Sequence, residues 1–515
     1  MKRIVAFLLL LMLVVAAVVA QPRSESPVNQ ARQAGSAPVQ GSRDSRGEDD
    51  RFEGVRDFIR KQMVERQVPS IAVAVARQGQ IIWEEGFGWA NREDRIPATP
   101  HTIYSLASIS KPITATGLMI LKERGKVALD RPVNDYLGES KLKVRIGNPA
   151  DATLGRVLNH TSGLPLHYQF FYEDEPYRRP SMDETILRYG HAVTAPGERY
   201  QYSNLGYGLI DYAISRVSGK SYADFMKTEV FLPLGLTRMS VDIEPALEKY
   251  QAIRYGTDGR PIPFYTFDHA GGSAIYASAH DLVRFGMFHL KARLPDQKAI
   301  LKDETLDEMQ RPTADMGSGQ GYGIGWITEN RGRRRLVQHT GGMGGVATIL
   351  AMLPEERIVI AALANSSSGL PRQLAEEIIA VLVPDAAPPA PNPQALNPTE
   401  PFMAPSQLKG TWKGTIHTYK GDVALTLEFK ESGDAHAQLG SQLKTLVNNM
   451  SLKDGYLTGR MMGDIGTEDA DRMPYTLVLS LKLRGDALNG AITALSLPAK
   501  RVGNALSHWV ELKKQ

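Results

Sequence analysis

Seven prolines crowd the stretch Asp385–Pro405. Proline has no amide hydrogen and a locked φ, so neither a helix interior nor a central strand can run through such a segment. It reads as a stiff linker, and the chain on either side must fold by its own pattern. Before it, over residues 51–384, helical and strand signals alternate. Phe52, Val55, Phe58, Ile59 and Met63 share one helical face. Ile71–Ala76 and Ile81–Trp83 flank a Gly-containing turn, a hairpin signal. Leu336–Gln338, Val346–Leu353 and Ile358–Ala364 read as late strands, and Leu370–Leu382 as a closing helix. Strands at both ends with helices between predict an α+β unit, an antiparallel sheet flanked by helices. After the linker, over residues 406–515, only short strands recur: Gly410–Thr418, Val423–Phe429, Gly455–Arg460, Tyr475–Leu483, Ala487–Ala494 and His508–Leu512. Gly-Asp and Asp-Gly pairs separate several of them, which predicts a small all-β unit of barrel type.

The N-terminus looks like a targeting segment. Lys2 and Arg3 precede the apolar run Ile4–Val15, and Val18-Val19-Ala20 forms a small-residue cleavage site. The mature chain is therefore expected to begin near Gln21 and to be exported, to a periplasm or outside the cell. Membrane association is expected only if residues 1–20 stay attached. Residues 21–50 hold few large apolar side chains and are expected to be a disordered spacer. The chain has no Cys, so it can have no disulfide, thiol nucleophile, cysteine metal site or cysteine-linked lipid. A net charge of +4 over 515 residues gives no basis for a nucleic-acid partner. No P-loop, zinc or EF-hand pattern is present, and neither metal nor cofactor is expected.

The chemistry centres on Ser108-Ile109-Ser110-Lys111. A serine needs a base to become a nucleophile. At i and i+3 on a helix, Ser108 and Lys111 share a face, and burial would lower the lysine pKa into a useful range. If Ser108 opens the helix, the unpaired N–H groups of the first turn favour negative charge there. Pro112 fits a first turn, although Lys111 must then overcome the extended bias of a residue before proline. The helix should run through Ile113, Leu118, Ile120 and Leu121 and stop at Gly125. Leu154–Leu158 looks helical and leads to a tight turn at His160-Thr161-Ser162-Gly163-Leu164-Pro165, with His160 read as a turn residue bonding backbone. A second helical pattern follows Tyr202-Ser203-Asn204. Gly271-Gly272 is expected to open a further helix, Asp281–Leu290, and Gly321–Trp326 to be a Gly-interrupted strand.

Ser108-x-x-Lys111, Tyr202-x-Asn204 and His339-Thr340-Gly341, in that order, resemble the serine β-lactamase and penicillin-binding protein superfamily. The similarity is to its class C β-lactamase, D-alanyl-D-alanine carboxypeptidase and esterase branch, and it covers about Phe52–Pro384. The resemblance implies an α/β (α+β) fold with an additional all-helical subdomain. It also implies roles. Ser108 becomes acylated, Lys111 and Tyr202 move its proton, Asn204 bonds a substrate amide or carbonyl, and His339, Thr340 and Gly341 line the site on a strand edge. The N–H groups of Ser108 and Gly342 would form the oxyanion hole. Lys111 and Tyr202 both remain candidates for the main base. Many β-lactamases carry Lys where this chain has His339. A histidine is largely neutral at pH 7, so peptidase or esterase activity is expected ahead of a dedicated β-lactamase. The expected partner is a small-molecule or peptide substrate, peptidoglycan fragments included. The alternative is a penicillin-binding sensor that acylates with little turnover. Gly410-Thr411-Trp412-Lys413-Gly414 resembles the first strand of lipocalin-like barrels, and the tail's task is left open.

Overall fold

The computed structural model describes residues 50–386, 402–499 and 501–515. The expected signal segment, the spacer before Asp50 and most of the proline-rich linker lie outside the described residues. Among them, no helix is long and apolar enough to cross a membrane.

The first sheet has nine antiparallel strands. Their order is Ala314–Gly317, Gln320–Tyr322, Ile327–Arg331, Arg334–Met343, Val346–Leu353, Ile358–Ala364, Ser70–Arg77, Gln80–Asn91 and Ile96–Pro97. The chain's early hairpin thus joins its late strands through one seam, with Ile71 opposite Ala364 and Arg77 opposite Ile358. Val346–Leu353 and Ile358–Ala364 are buried at every position. Continuous apolar runs of this kind need cover on both faces. Helix Ala279–His289 supplies cover, with Gly286 set against Val359 and Leu350. Leu370–Leu382 and Glu53–Arg66 supply more, the former tied to the sheet by the Arg331–Glu376 ion pair.

Beside the sheet lies a helical region built around Ser110–Glu123, in which Ser110 to Leu121 are all buried. It packs on Asn204–Ser218 and Tyr222–Met226, where Met226 Sδ sits against Gly117. Gly125 ends the helix with φ +66, and Lys126 N–H closes back on the Leu121 carbonyl. Lys111 is helical despite the proline after it. A buried helix with a full complement of contacts outweighs that local bias.

Three expectations need correction. Ser108 does not open the α-helix; it lies in a 3-10 turn, Ala107–Ile109, and the α-helix starts at Ser110. Gly271-Gly272 open a turn and then the strand Ile275–Ser278, which pairs with Ile103–Ser105; the helix begins only at Ala279. Gly321–Trp326 is not one strand. Pairing ends at Tyr322, and Gly325, at φ +83, turns the chain before Ile327.

The second sheet is also antiparallel and nine-stranded, in the order Thr445–Leu446, Ala435–Leu439, Gly421–Phe429, Gly410–Thr418, Ala505–Lys514, Ala487–Ser496, Tyr475–Arg484, Tyr456–Met461 and Asn448–Lys453. Its two end strands are consecutive in the chain, separated by Val447. Side-chain bonds draw the ends together: Thr445 Oγ1 donates to the Met462 carbonyl and Gln442 Nε2 to the Asp464 carbonyl. The sheet is therefore nearly a barrel, and Trp412, Leu427, Leu479, Ile492 and Val510 are among its buried core. The strands Ala435–Leu439, Thr445–Leu446 and Asn448–Lys453 were not legible in the sequence, being short or polar. Both sheets belong to one compact unit.

Candidate active site

The nucleophile turn is held in an unfavourable shape. Ala107 has φ +49, a value that costs a Cβ-bearing residue about 1–3 kcal/mol and persists only where surroundings impose it. Here Leu106 N–H donates to the Ile275 carbonyl at 2.9 Å, and Thr348 Oγ1 donates to the Leu106 carbonyl at 3.0 Å. Ile275 N–H in turn donates to Ser110 Oγ at 3.0 Å. The result is a partly exposed Ser108 beside a fully buried Lys111.

Lys111 Nζ lies 3.1 Å from Ser108 Oγ, 2.7 Å from Asn204 Oδ1 and 2.9 Å from the Gly272 carbonyl oxygen. Amide oxygens only accept, so two N–H bonds of the amine are committed to them. The remaining position, hydrogen or lone pair, faces Ser108. No carboxylate pairs with Lys111 among the described residues, and its burial holds the pKa well below that of an ordinary lysine. An ammonium in a dry site without a counter-ion is costly, so the neutral amine, with its lone pair toward the hydroxyl, is the favoured form.

Tyr202 reaches the same place from the other side. Its ring is 4.7 Å from Lys111 Nζ, and its hydroxyl is within hydrogen-bonding reach of Ser108. Burial raises its pKa, with the Ser108 bond opposing, so the phenol stays protonated. Asn204 opens the helix Asn204–Ser218, capped by Ser203 Oγ accepting from Gly206 N–H.

The strand Arg334–Met343 forms the third wall. Its approach is so close that a Cβ on Gly341 would lie 2.1 Å from the Leu106 carbonyl oxygen; only glycine fits. Thr340 is half-buried, and Gly342 is exposed with open space above its Cα. His339 is turned inward. Its Nδ1 lies 2.8 Å from the Thr340 carbonyl, which can only accept, so Nδ1 carries the hydrogen. Nε2 then accepts from the Tyr322 hydroxyl at 3.1 Å. Burial pushes its pKa down to about 3. His339 is neutral, and both its nitrogens are spent.

The structure thus brings Ser108, Lys111, Tyr202 and Asn204 together, with the strand that carries His339, Thr340, Gly341 and Gly342 packed against the nucleophile turn. The structure adds others. His160, at φ +62, accepts from Ser203 N–H through Nδ1 at 3.2 Å, as a turn histidine should, but its ring also packs 4.4 Å from that of Tyr202. Tyr200, Tyr207 and Tyr322 complete the cage around it. Behind Gly272, the buried Asp268 carboxylate sits between His167 Nε2 at 2.5 Å and His269 Nδ1 at 2.7 Å. Burial opposes its charge, yet the two imidazoles outweigh it and hold the pKa low. Nothing in the local sequence marks the Asp268, His167 and His269 cluster; only the fold assembles it.

Residues 55–383 match the family model described as Beta-lactamase. The chain belongs to the beta-lactamase family. Among curated relatives of this family, penicillin-binding protein 4* of Bacillus subtilis is 27% identical over 322 residues, covering 57% of this chain and 67% of its own. The human mitochondrial serine beta-lactamase-like protein LACTB is 26% identical over 403 residues, covering 59% of this chain and 72% of its own. Solved structures resemble it in fold. That of SurE covers 90% of this chain and 99% of its own at 21% identity and TM-score 0.61. The octameric penicillin-binding protein homologue of Pyrococcus abyssi covers 89% and 99% at 24% identity and TM-score 0.56. Coverage that wide takes in the C-terminal sheet as well as the family domain.

Proposed function

We propose that this beta-lactamase-family protein is an exported serine hydrolase that cleaves esters or amides through an acyl-enzyme on Ser108. The observation that carries the reading is the placement of Lys111 Nζ, 3.1 Å from Ser108 Oγ with its other bonds committed to amide oxygens. In acylation, Ser108 Oγ attacks the substrate carbonyl as its proton passes to the Lys111 lone pair. The carbonyl oxygen takes up negative charge against the N–H groups of Ser108 and Gly342; donors fixed in this way are each worth about 2.7–4 kcal/mol. As the tetrahedral intermediate collapses, the scissile bond breaks, and Tyr202 passes a proton to the leaving group, recovering one from Lys111. Water then repeats the sequence on the acyl-enzyme and releases the acid. The opposite shifts of Lys111 and Tyr202 support the amine as base and the phenol as proton carrier. Asn204 Oδ1 is held by Lys111, which orients its amide nitrogen for a substrate carbonyl.

The neutral, internally bonded His339 favours substrates without a carboxylate at the position where a lysine would offer charge. This supports peptidase or esterase chemistry ahead of a dedicated β-lactamase. Export rests on the character of residues 1–20. The test is a panel of chromogenic esters, D-alanyl peptides and a chromogenic cephalosporin, combined with intact-mass detection of a Ser108 adduct. Steady turnover of ester or amide is the expected result. A stoichiometric burst with a stable adduct would make the protein a penicillin-binding sensor instead. No adduct with any acyl donor would end the hydrolase reading.

A further inference from the structure

The segment that delivers Tyr202, from Ala195 to Ser203, is neither helix nor strand. Such a segment gets its shape from what grips it. On one side it hangs from the turn at His160: Gly197 N–H donates to the Thr161 carbonyl and Gln201 N–H to the His160 carbonyl, both at 2.7 Å. On the other side the Glu198 side chain reaches into the C-terminal sheet. Its Oε1 accepts from Tyr456 Oη at 2.7 Å, Lys482 Nζ at 2.7 Å and Arg484 Nη2 at 3.0 Å; its Oε2 accepts from Arg484 Nη2 at 2.8 Å and from Ala195 N–H at 3.2 Å. Tyr456 and Lys482 are direct cross-strand partners, so the three donors form one rigid platform. Arg484 is itself braced by Asn489 Oδ1 at 2.6 Å, and the Arg199 guanidinium stacks 3.6 Å from the Tyr456 ring.

We propose that Glu198 is a positioning residue through which the C-terminal β domain holds Tyr202 against Ser108. This rests on the acyl-enzyme reading for its kinetic consequence, though not for its geometry. Glu198 stands four residues before Tyr202, a tether of at most about 14 Å. A surface ion pair contributes little, but this carboxylate is only 19% exposed and meets three donors from the other domain. Burial opposes its ionisation, and the Lys482, Tyr456 and Arg484 bonds outweigh that and bring its pKa down to about 2. The clamp is also not what docks the domain. Docking has other bonds: Tyr168 and Ala505 exchange N–H···O bonds at 3.0 and 2.9 Å, Phe170 N–H donates to Asn504 Oδ1, Ser507 Oγ donates to the Leu166 carbonyl, and Arg472 pairs with Glu175. Removing Glu198 therefore leaves the domains together and loosens the segment ahead of Tyr202 on its C-terminal-sheet side, while its bonds to the His160 turn remain.

The experiment uses the full chain, with Glu198→Gln, Glu198→Asp and Arg484→Met, each assayed on the best ester of the panel. Displacement of a catalytic group by about 1 Å costs up to about a hundredfold. Glu198→Gln and Arg484→Met should lower kcat about ten- to a hundredfold with KM within about twofold. The double variant should be no worse than either single one, and Glu198→Asp should recover part of the rate. Fluorotyrosine incorporated at position 202 gives a second readout: its 19F resonance should shift or broaden in Glu198→Gln. A lowered Tm with unchanged kcat and an unchanged 19F resonance would overturn the proposal, leaving the clamp as a stabilising contact. If the wild-type chain acylates nothing, the hydrolase reading fails, and the 19F spectrum alone then decides whether Glu198 positions Tyr202.

Discussion

The protein holds two nine-stranded antiparallel sheets, and they solve the same problem in opposite ways. In the first, Val346–Leu353 and Ile358–Ala364 are buried at every residue. In the second, residues 425–429 and Ala435–Leu439 alternate buried and half-buried positions. A sheet covered on both faces needs helices, and one of the helical elements beside this one is the turn and helix that carry Ser108 and Lys111. A sheet that curls on itself needs no cover. Its outer face is free to present polar side chains, and Tyr456, Lys482 and Arg484 use it to meet Glu198. The first sheet thus builds the chemistry and the second grips the segments around it.

The largest effect is expected at the nucleophile. Ser108→Ala should abolish adduct formation and lower turnover by several orders of magnitude, while leaving both sheets folded by circular dichroism. Unchanged turnover would remove the chemical role from the first sheet's domain altogether. The packing contrast is tested by neighbouring truncations. Val359→Ala and Ile360→Ala point to opposite faces of the first sheet, and each should cost about 1–4 kcal/mol in denaturant unfolding. In the second sheet Leu427→Ala should cost about 2–5 kcal/mol, whereas its neighbour Glu428→Ala should stay within about 0.5 kcal/mol. Equal effects at Leu427 and Glu428 would contradict the alternation.

Acid should separate the regions further. Burial pushes His191, His289 and His339 down to about 3 and His508 to about 4. Each is neutral when folded and protonates near pH 6.5 when unfolded. Below 6.5 the unfolded state binds more protons, so stability is present above that pH and falls as pH drops toward 3–4. The loss approaches about 1.4 kcal/mol per pH unit for each histidine. Three of the four lie in the family domain, which should lose native signal first as pH falls from 7 to 4.5. A Tm independent of pH over that range would show these histidines to be solvated. The smallest effect expected is on catalysis by His339. His339→Gln, which can still donate to the Thr340 carbonyl, should change kcat/KM for a neutral ester by no more than about threefold, read in the same chromogenic assay.

Much of this was legible beforehand where local pattern and tertiary environment agree. Val346–Leu353, Ile358–Ala364 and Leu370–Leu382 have the limits their apolar runs suggest. The three motifs were legible because each needs particular side chains at short spacing. Short segments that take their conformation from distant partners carry no such local signal. Ile275–Ser278 is a strand because Ile103–Ser105 lies beside it, and Ala107 is left-handed because Ile275 and Thr348 hold its neighbour. Asn448–Lys453 is mostly exposed, with only Met450 half-buried, so no continuous apolar run announces it.

The sequence by itself determined the residue types available for chemistry. It put Ser108 and Lys111 within one turn of each other, because three residues of helix allow little else. It could not decide that Lys111 would be dry, that His339 would be spent on Tyr322 and Thr340, or that Glu198 would meet a platform more than 250 residues further along the chain. Those outcomes depend on desolvation and on contacts between distant segments, and such quantities exist only once the chain has packed.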